Sequence, residues 1–482
     1  MTAEFVIRNA EVEGRPGVDV RLRAGRICEV GTHLWRRGVD WLDARGGAVL
    51  PGLADHHLHL HALAAARASV RCGPPDVRTP DGLRQVLGGF DSAQDWVRGV
   101  GYVETVAGDL DANALDRFHA RRPVRIQHRS GAMWILNSAA IRATGLASVE
   151  HPGIERGPEG RPTGRIFRAD DLLRTLLPAT GPPRLHGVGA DLARLGFTAV
   201  TDATPDLGAD SLTALVDASR SGHIPQRLHL LGVPLGDDVS GGDGERVTVG
   251  PYKIVLADSG MPDLDGLAET IRRVRTAGRA FAAHSVSRES LAVLLAVLND
   301  VGCVPGDRIE HASIVPAEVV ADLRRHGLTV VTQPGFVADR GEDYRARVDE
   351  RDHPDLYRCR TLLEAGVSVA LSSDAPYGPL DPWAVIRTAA TRRTDSGAVF
   401  GAAERVGTAA ALAAYLGPAE QPGGPPRRVR PGAVADLVVL DVPLRAMLDT
   451  PDSGAVGTVL VDGLVVHAKC PGLRRASPRC LT

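Results

Sequence analysis

His57 and His59 stand two residues apart in Asp55-His56-His57-Leu58-His59, at the end of an apolar run, Ala48–Asp55, that reads as a strand. Along a strand, side chains at i and i+2 face the same way, so both imidazoles reach one point and Asp55 lies beneath them. His56 points the other way, and His61 lies past the strand end. Imidazole and carboxylate are the ligands of zinc, manganese or iron. An HxH pair alone is a weak signal. Four later residues strengthen it, each at the end of an expected strand: Lys253, His284 in Phe281-Ala-Ala-His, His311 in Arg308-Ile-Glu-His, and Asp374 in Ala370-Leu-Ser-Ser-Asp.

Lysine occurs only at Lys253 and Lys469 in a chain otherwise basic through arginine. A lysine retained mid-chain in that background suggests chemistry that guanidinium cannot supply. As an ammonium, Lys253 would repel a cation. As a carbamate formed with carbon dioxide, it would be an anionic bidentate ligand able to bridge two metal ions. Each residue also has an ordinary reading: a hydrogen-bonded strand-end histidine, a turn aspartate before Ala375-Pro376, a buried ion-pair lysine. One metal site explains all six together.

These residues need a scaffold that gathers strand ends. Eight buried-strand candidates are Ala48–Asp55, Thr198–Asp202, Leu228–Gly232, Tyr252–Leu256, Ala280–His284, Arg308–His311, Thr329–Gln333 and Val367–Asp374. Helical patterns such as Leu264–Ala277 and Leu291–Asn299 separate them, as in βαβ units. The expected fold is α/β, a (β/α)8 TIM barrel whose C-terminal strand ends carry the chemistry. Short alternating strands at the start (Phe5–Val12, Val18–Leu22, Arg26–Val30) and near the end (Ala435–Asp441, Val456–Val466) predict one small β-sandwich built from both termini. Gly417–Pro431 reads as a loop. The expected division is 1–53 with 405–482 for the sandwich and 54–404 for the barrel. An insertion at about 60–195 follows the first barrel strand and carries Trp96–Tyr102 and Pro123–His128.

The motif order resembles the amidohydrolase superfamily: HxH on the first strand, Lys on the fourth, His on the fifth and sixth, Asp on the eighth. Pro51-Gly-Leu-Ala-Asp-His-His-Leu-His and Pro431-Gly-Ala-Val-Ala-Asp-Leu-Val-Val-Leu-Asp resemble that family's opening and return motifs. Gly131-Ala-Met-Trp-Ile-Leu-Asn-Ser, Gly160-Arg-Pro-Thr-Gly, Gln333-Pro and Ser373-Asp-Ala-Pro are similar to the branch that includes N-substituted formamide deformylase. Ala132 stands where members of that branch often have histidine.

The resemblance implies one or two divalent metal ions, zinc with manganese or iron as alternatives. His57, His59 and Asp374 would hold one, His284 and His311 the other, with carboxylated Lys253 between them. It implies hydrolysis of a non-peptide carbon–nitrogen bond (an amide, formamide or cyclic amide) by a metal-bound hydroxide, with Asp374 as general base and then acid. The same site would serve deamination of a heterocycle or hydrolysis of a lactone or phosphoester, and a ligand-binding barrel without turnover is the non-enzymatic alternative. His128, Arg129 and Trp134 are the substrate-contact candidates from the insertion. Asp202 matches a common aspartate after the second strand; a loop hydrogen-bond acceptor is the other reading.

Composition agrees with a small-molecule enzyme. Hydrophobic residues make up 44% of 482 and net charge is −2, which leaves no footprint for nucleic acid or an anionic membrane. Neither a signal peptide nor a membrane span is expected, and the six scattered cysteines, Cys470 and Cys480 among them, suit a reducing cytoplasm. Oligomeric state is left open, homo-oligomers included.

Overall fold

The computed structural model describes residues 4–35, 38–89, 96–178, 181–237, 239, 246–257, 260–469 and 473–474. Cys470, Cys480 and the tail around them lie outside the described residues. The chain separates into two compact units, one of residues 1–60 with 185–482 and one of residues 61–184.

Two all-parallel sheets carry the site. The first contains β1 (Leu53–Leu58), β2 (Phe197–Asp202), β3 (Arg227–Leu230) and β4 (Val247–Val249), side by side in that order. The second contains β5 (Tyr252–Val255), β6 (Phe281–Ser285), β7 (Arg308–His311), β8 (Thr329–Thr332) and β9 (Ser368–Leu371), also in chain order. Every residue of β1, β2 and β7 is buried, as expected of parallel strands covered on both faces. Backbone bonds tie the two sheets together. Asp374 donates to the His57 carbonyl (2.9 Å), His59 donates to Ala375 (2.9 Å), and Lys253 donates to Leu231 (3.3 Å). Asp55 adds a side-chain link, accepting from both His57 N (3.2 Å) and Ser373 N (3.1 Å).

Three local readings change. Ala48–Asp55 is not one strand. Ala48–Pro51 pairs with Leu437–Leu440 in another sheet, and β1 starts at Leu53. Gly52 makes the transfer because any Cβ there would collide with the Thr198 side chain. The fourth strand position is interrupted: β4 pairs with β3, Gly250 and Pro251 follow, and β5 pairs with β6. Proline cannot donate to a ladder, which accounts for the break. The helix expected at Leu291–Asn299 spans Arg288–Val301, because the Ser287 capping box starts it before its apolar stripe begins.

The two ends of the chain meet in one nine-stranded sheet. Glu4–Val12, Arg15–Arg23 and Arg26–Gly31 continue through Ala48–Pro51 into Leu437–Leu440, Val456–Val461 and Leu464–Ala468. Ile7, Val20 and Leu22 from the start share an apolar cluster with Leu437, Val439 and Leu460 from the end. The second unit has its own six-stranded sheet, including Val97–Tyr102, Val124–His128, Met133–Leu136 and Pro162–Phe167, with its own apolar clusters. No helix among the described residues is long and apolar enough to cross a membrane.

Candidate metal centre

His57 lies near the end of β1 and His59 just past it; Asp374 lies three residues beyond Leu371, the end of β9. The Asp374 Oδ1 atom is 3.3 Å from His59 Nε2 and 3.6 Å from His57 Nε2. Ligands about 2.0–2.1 Å from a tetrahedral metal stand about 3.3–3.4 Å from one another, so these spacings fit one ion. Among the described residues, this is the group of three imidazole, thiol or carboxylate side chains whose donor atoms lie within 4.8 Å. His57 Nε2 and Asp374 Oδ1 are buried and make no hydrogen bond, a costly state for polar atoms without a further partner.

The other expected residues stand around this group. The His311 ring is 4.7 Å from that of His57 and 4.5 Å from that of His284, and His311 Nδ1 is 3.7 Å from Asp374 Oδ2. His311 closes β7 and His284 is next to last in β6. Lys253 is the second residue of β5 rather than its end. It is buried, and its Nζ makes no hydrogen bond. Burial lowers its amine to about 8, against the pull of Glu310 and Asp374. Burial, reinforced by Lys253, holds the His57 imidazole well below its ordinary range, and burial, reinforced by His284, does the same for His311. Both effects favour the neutral ring, the form in which imidazole binds a metal ion.

Neighbouring groups set which nitrogen faces the centre. Gln333 commits its amide N–H groups to Ser372 Oγ (2.9 Å) and the Val331 carbonyl (3.3 Å), so its oxygen receives Nδ1–H of His311 at 2.9 Å. Thr204 Oγ1 lies 3.1 Å from His59 Nδ1. Glu310 meets His57 Nδ1 through Oε2 and receives Arg308 Nε at its other oxygen, 2.5 Å away. Asp202 organises the adjacent loop, accepting from Leu60 N (2.7 Å) and Thr204 N (3.0 Å).

Glu310 and Thr204 were missed as partners of the histidines. Strand alternation assigns Glu310 and His311 to opposite faces. The structure breaks that alternation: His311 and Ala312 adopt left-handed backbone (φ 71° and 44°), and Glu310 and His311 both reach His57. Asp374 is also left-handed, at φ 54°. Such backbone costs about 1–3 kcal/mol and clusters at functional sites. The signal available in the sequence was Arg308 and Glu310 themselves, two opposite charges at i and i+2 inside a buried strand.

The insertion candidates belong to the second unit. His128 faces Glu104 (3.3 Å) and Ser130 (2.8 Å). Arg129 donates its backbone N–H to Tyr102 (2.8 Å). Trp134 is buried in that unit's core, donates to Asp170 (2.8 Å), and has the Arg98 and Arg125 guanidiniums each 5.3 Å from its ring.

Residues 40–467 match the model of the amidohydrolase family. The chain belongs to that family. It is thus a metal-dependent hydrolase acting on carbon–nitrogen bonds other than peptide bonds. N-substituted formamide deformylase of Arthrobacter pascens is 27% identical, over 90% of this chain and 92% of that protein. A putative amidohydrolase of Bacillus subtilis, YtcJ, is 25% identical over 73% of this chain and 75% of its own. An uncharacterized metal-dependent hydrolase from Pyrococcus horikoshii superposes with a TM-score of 0.69 at 19% identity, covering 91% of this chain and 97% of its own. The structural likeness places the scaffold in the TIM-barrel type.

Proposed function

We propose that this amidohydrolase cleaves an N-substituted formamide or a closely related small amide at a two-metal centre. His57, His59 and Asp374 would hold one divalent ion and His284 and His311 the other, with N-carboxylated Lys253 as a ligand to both. The observation that carries the reading is the convergence of two imidazole Nε2 atoms on one oxygen of Asp374, at 3.3 and 3.6 Å. The name of the Arthrobacter relative supports the formamide.

A bound divalent ion, zinc first with manganese or iron as alternatives, would acidify water and polarise the substrate carbonyl. The remaining tasks fall to side chains. Burial favours the neutral forms of His57 and His311, which offer lone pairs rather than charge. Lys253, lowered to about 8, has the uncharged amine that adds to carbon dioxide more readily available than an exposed lysine does. Asp374 takes the proton of the attacking water and returns it to the leaving nitrogen. We further propose that residues 54–404 close as a (β/α)8 barrel, with the insertion at about 60–195, and that 1–53 and 405–482 fold together as a β-sandwich.

The test is a substrate panel on protein loaded with zinc or manganese in bicarbonate. Release of formate and amine from at least one N-substituted formamide is expected. Turnover confined to heterocyclic amines or lactones would overturn the substrate assignment.

A further inference from the structure

Arg308 and Glu310 of β7 both reach β1, Glu310 at the His57 ring nitrogen that does not face Asp374. Glu310 Oε2 meets Nδ1 of His57, and Glu310 Oε1 receives Arg308 Nε at 2.5 Å. Arg308 Nη2 donates in turn to the His56 carbonyl at 3.3 Å. All three side chains are buried: His57 and Glu310 are 0% exposed and Arg308 is 1% exposed. With Oε1 paired to the Arg308 guanidinium, Oε2 is placed to accept from Nδ1 of His57, which leaves Nε2 on the side of Asp374. Arg308 fixes the carboxylate's rotation and secures the strand one residue earlier.

We propose that Glu310, braced by Arg308, is a positioning residue that sets the tautomer and aim of His57. This rests on reading His57 as a metal ligand, so the test has one readout that needs no metal. In metal-free protein labelled with ¹⁵N-histidine, long-range proton–nitrogen correlation identifies each ring's tautomer, and His57→Ala assigns the His57 signals. The expected form is Nδ1–H. An Nε2–H ring in the wild-type protein overturns the proposal, and this holds even if the Glu310 variant does not fold.

The second readout is the zinc dissociation constant by competition with a chelator, in wild type, Glu310→Gln, His57→Ala and the double variant. A glutamine offers one acceptor oxygen where Glu310 serves two donors, so an N–H must face an N–H. Glu310→Gln should weaken zinc about 10–100-fold, the usual cost of losing a partner behind a ligand. In the His57→Ala background the same change should cost less than about twofold, because its effect runs through His57. Unchanged affinity in Glu310→Gln, or equal losses in both backgrounds, overturns the proposal. A wild-type protein that binds no zinc defeats the two-metal reading, while the tautomer still decides the role of Glu310.

Discussion

Replacing Lys253 with methionine should stabilise the metal-free protein while destroying the metal-loaded enzyme. The side chain is 4% exposed and its amine makes no hydrogen bond. Burial lowers the amine from 10.5 to about 8, even with Glu310 and Asp374 favouring its charge. The unfolded chain therefore binds more protons between pH 8 and 10.5, and stability rises as pH climbs through that window. Below it the full cost is present, on the order of 3 kcal/mol at about 1.4 kcal/mol per pKa unit. Methionine keeps the apolar stem and removes the charge. Chelator-treated Lys253→Met in carbon-dioxide-free buffer should then exceed wild type by on the order of 3 kcal/mol at pH 7 in guanidinium unfolding, with the gap shrinking toward pH 10. In zinc and bicarbonate the order should reverse, because wild type, with its bridging ligand, gains more from metal binding than the variant does. A metal-free variant no more stable than wild type at pH 7, or a gap indifferent to pH, would refute the reasoning.

Asp374→Asn keeps the shape of the side chain but removes its proton-accepting charge; kcat should fall about 10²–10⁴-fold while substantial zinc is retained, read by steady-state kinetics beside elemental analysis. Prolonged chelation should abolish turnover, and added zinc or manganese should restore it. Gln333→Leu removes the acceptor for His311 Nδ1 and strands a buried N–H, so melting should show a loss of about 1–3 kcal/mol along with weaker metal retention. Arg392 is wholly buried and donates to Phe400 (3.0 Å), Tyr357 (3.1 Å) and Leu356 (2.9 Å). Arg392→Met should cost about 3–5 kcal/mol of stability and leave metal stoichiometry in the surviving folded protein unchanged.

The sequence exposed what depends on period and order. HxH spacing at the end of an apolar run located His57 and His59, and the βα alternation located the strands that bring Lys253, His284, His311 and Asp374 near them. What it concealed depends on backbone departures from that period. Gly52 hands the chain between sheets inside one apolar run, and Pro251 splits a strand position whose first half, Val247–Val249, is too short to stand out. Left-handed backbone at His311 and Ala312 accompanies the meeting of both Glu310 and His311 with His57, and no two-residue alternation anticipates it. The packing of Trp134 was also hidden: Asp170 and Arg98 reach it from distant parts of the chain, and Arg125 from the neighbouring strand.

The two-metal centre is tested most directly by metal stoichiometry, measured by elemental mass spectrometry on protein produced with zinc or manganese and bicarbonate. About two ions per chain are expected, falling with Lys253→Met. One ion per chain, unaffected by that substitution, would contradict the lysine-bridged pair, and none would contradict the metal site itself.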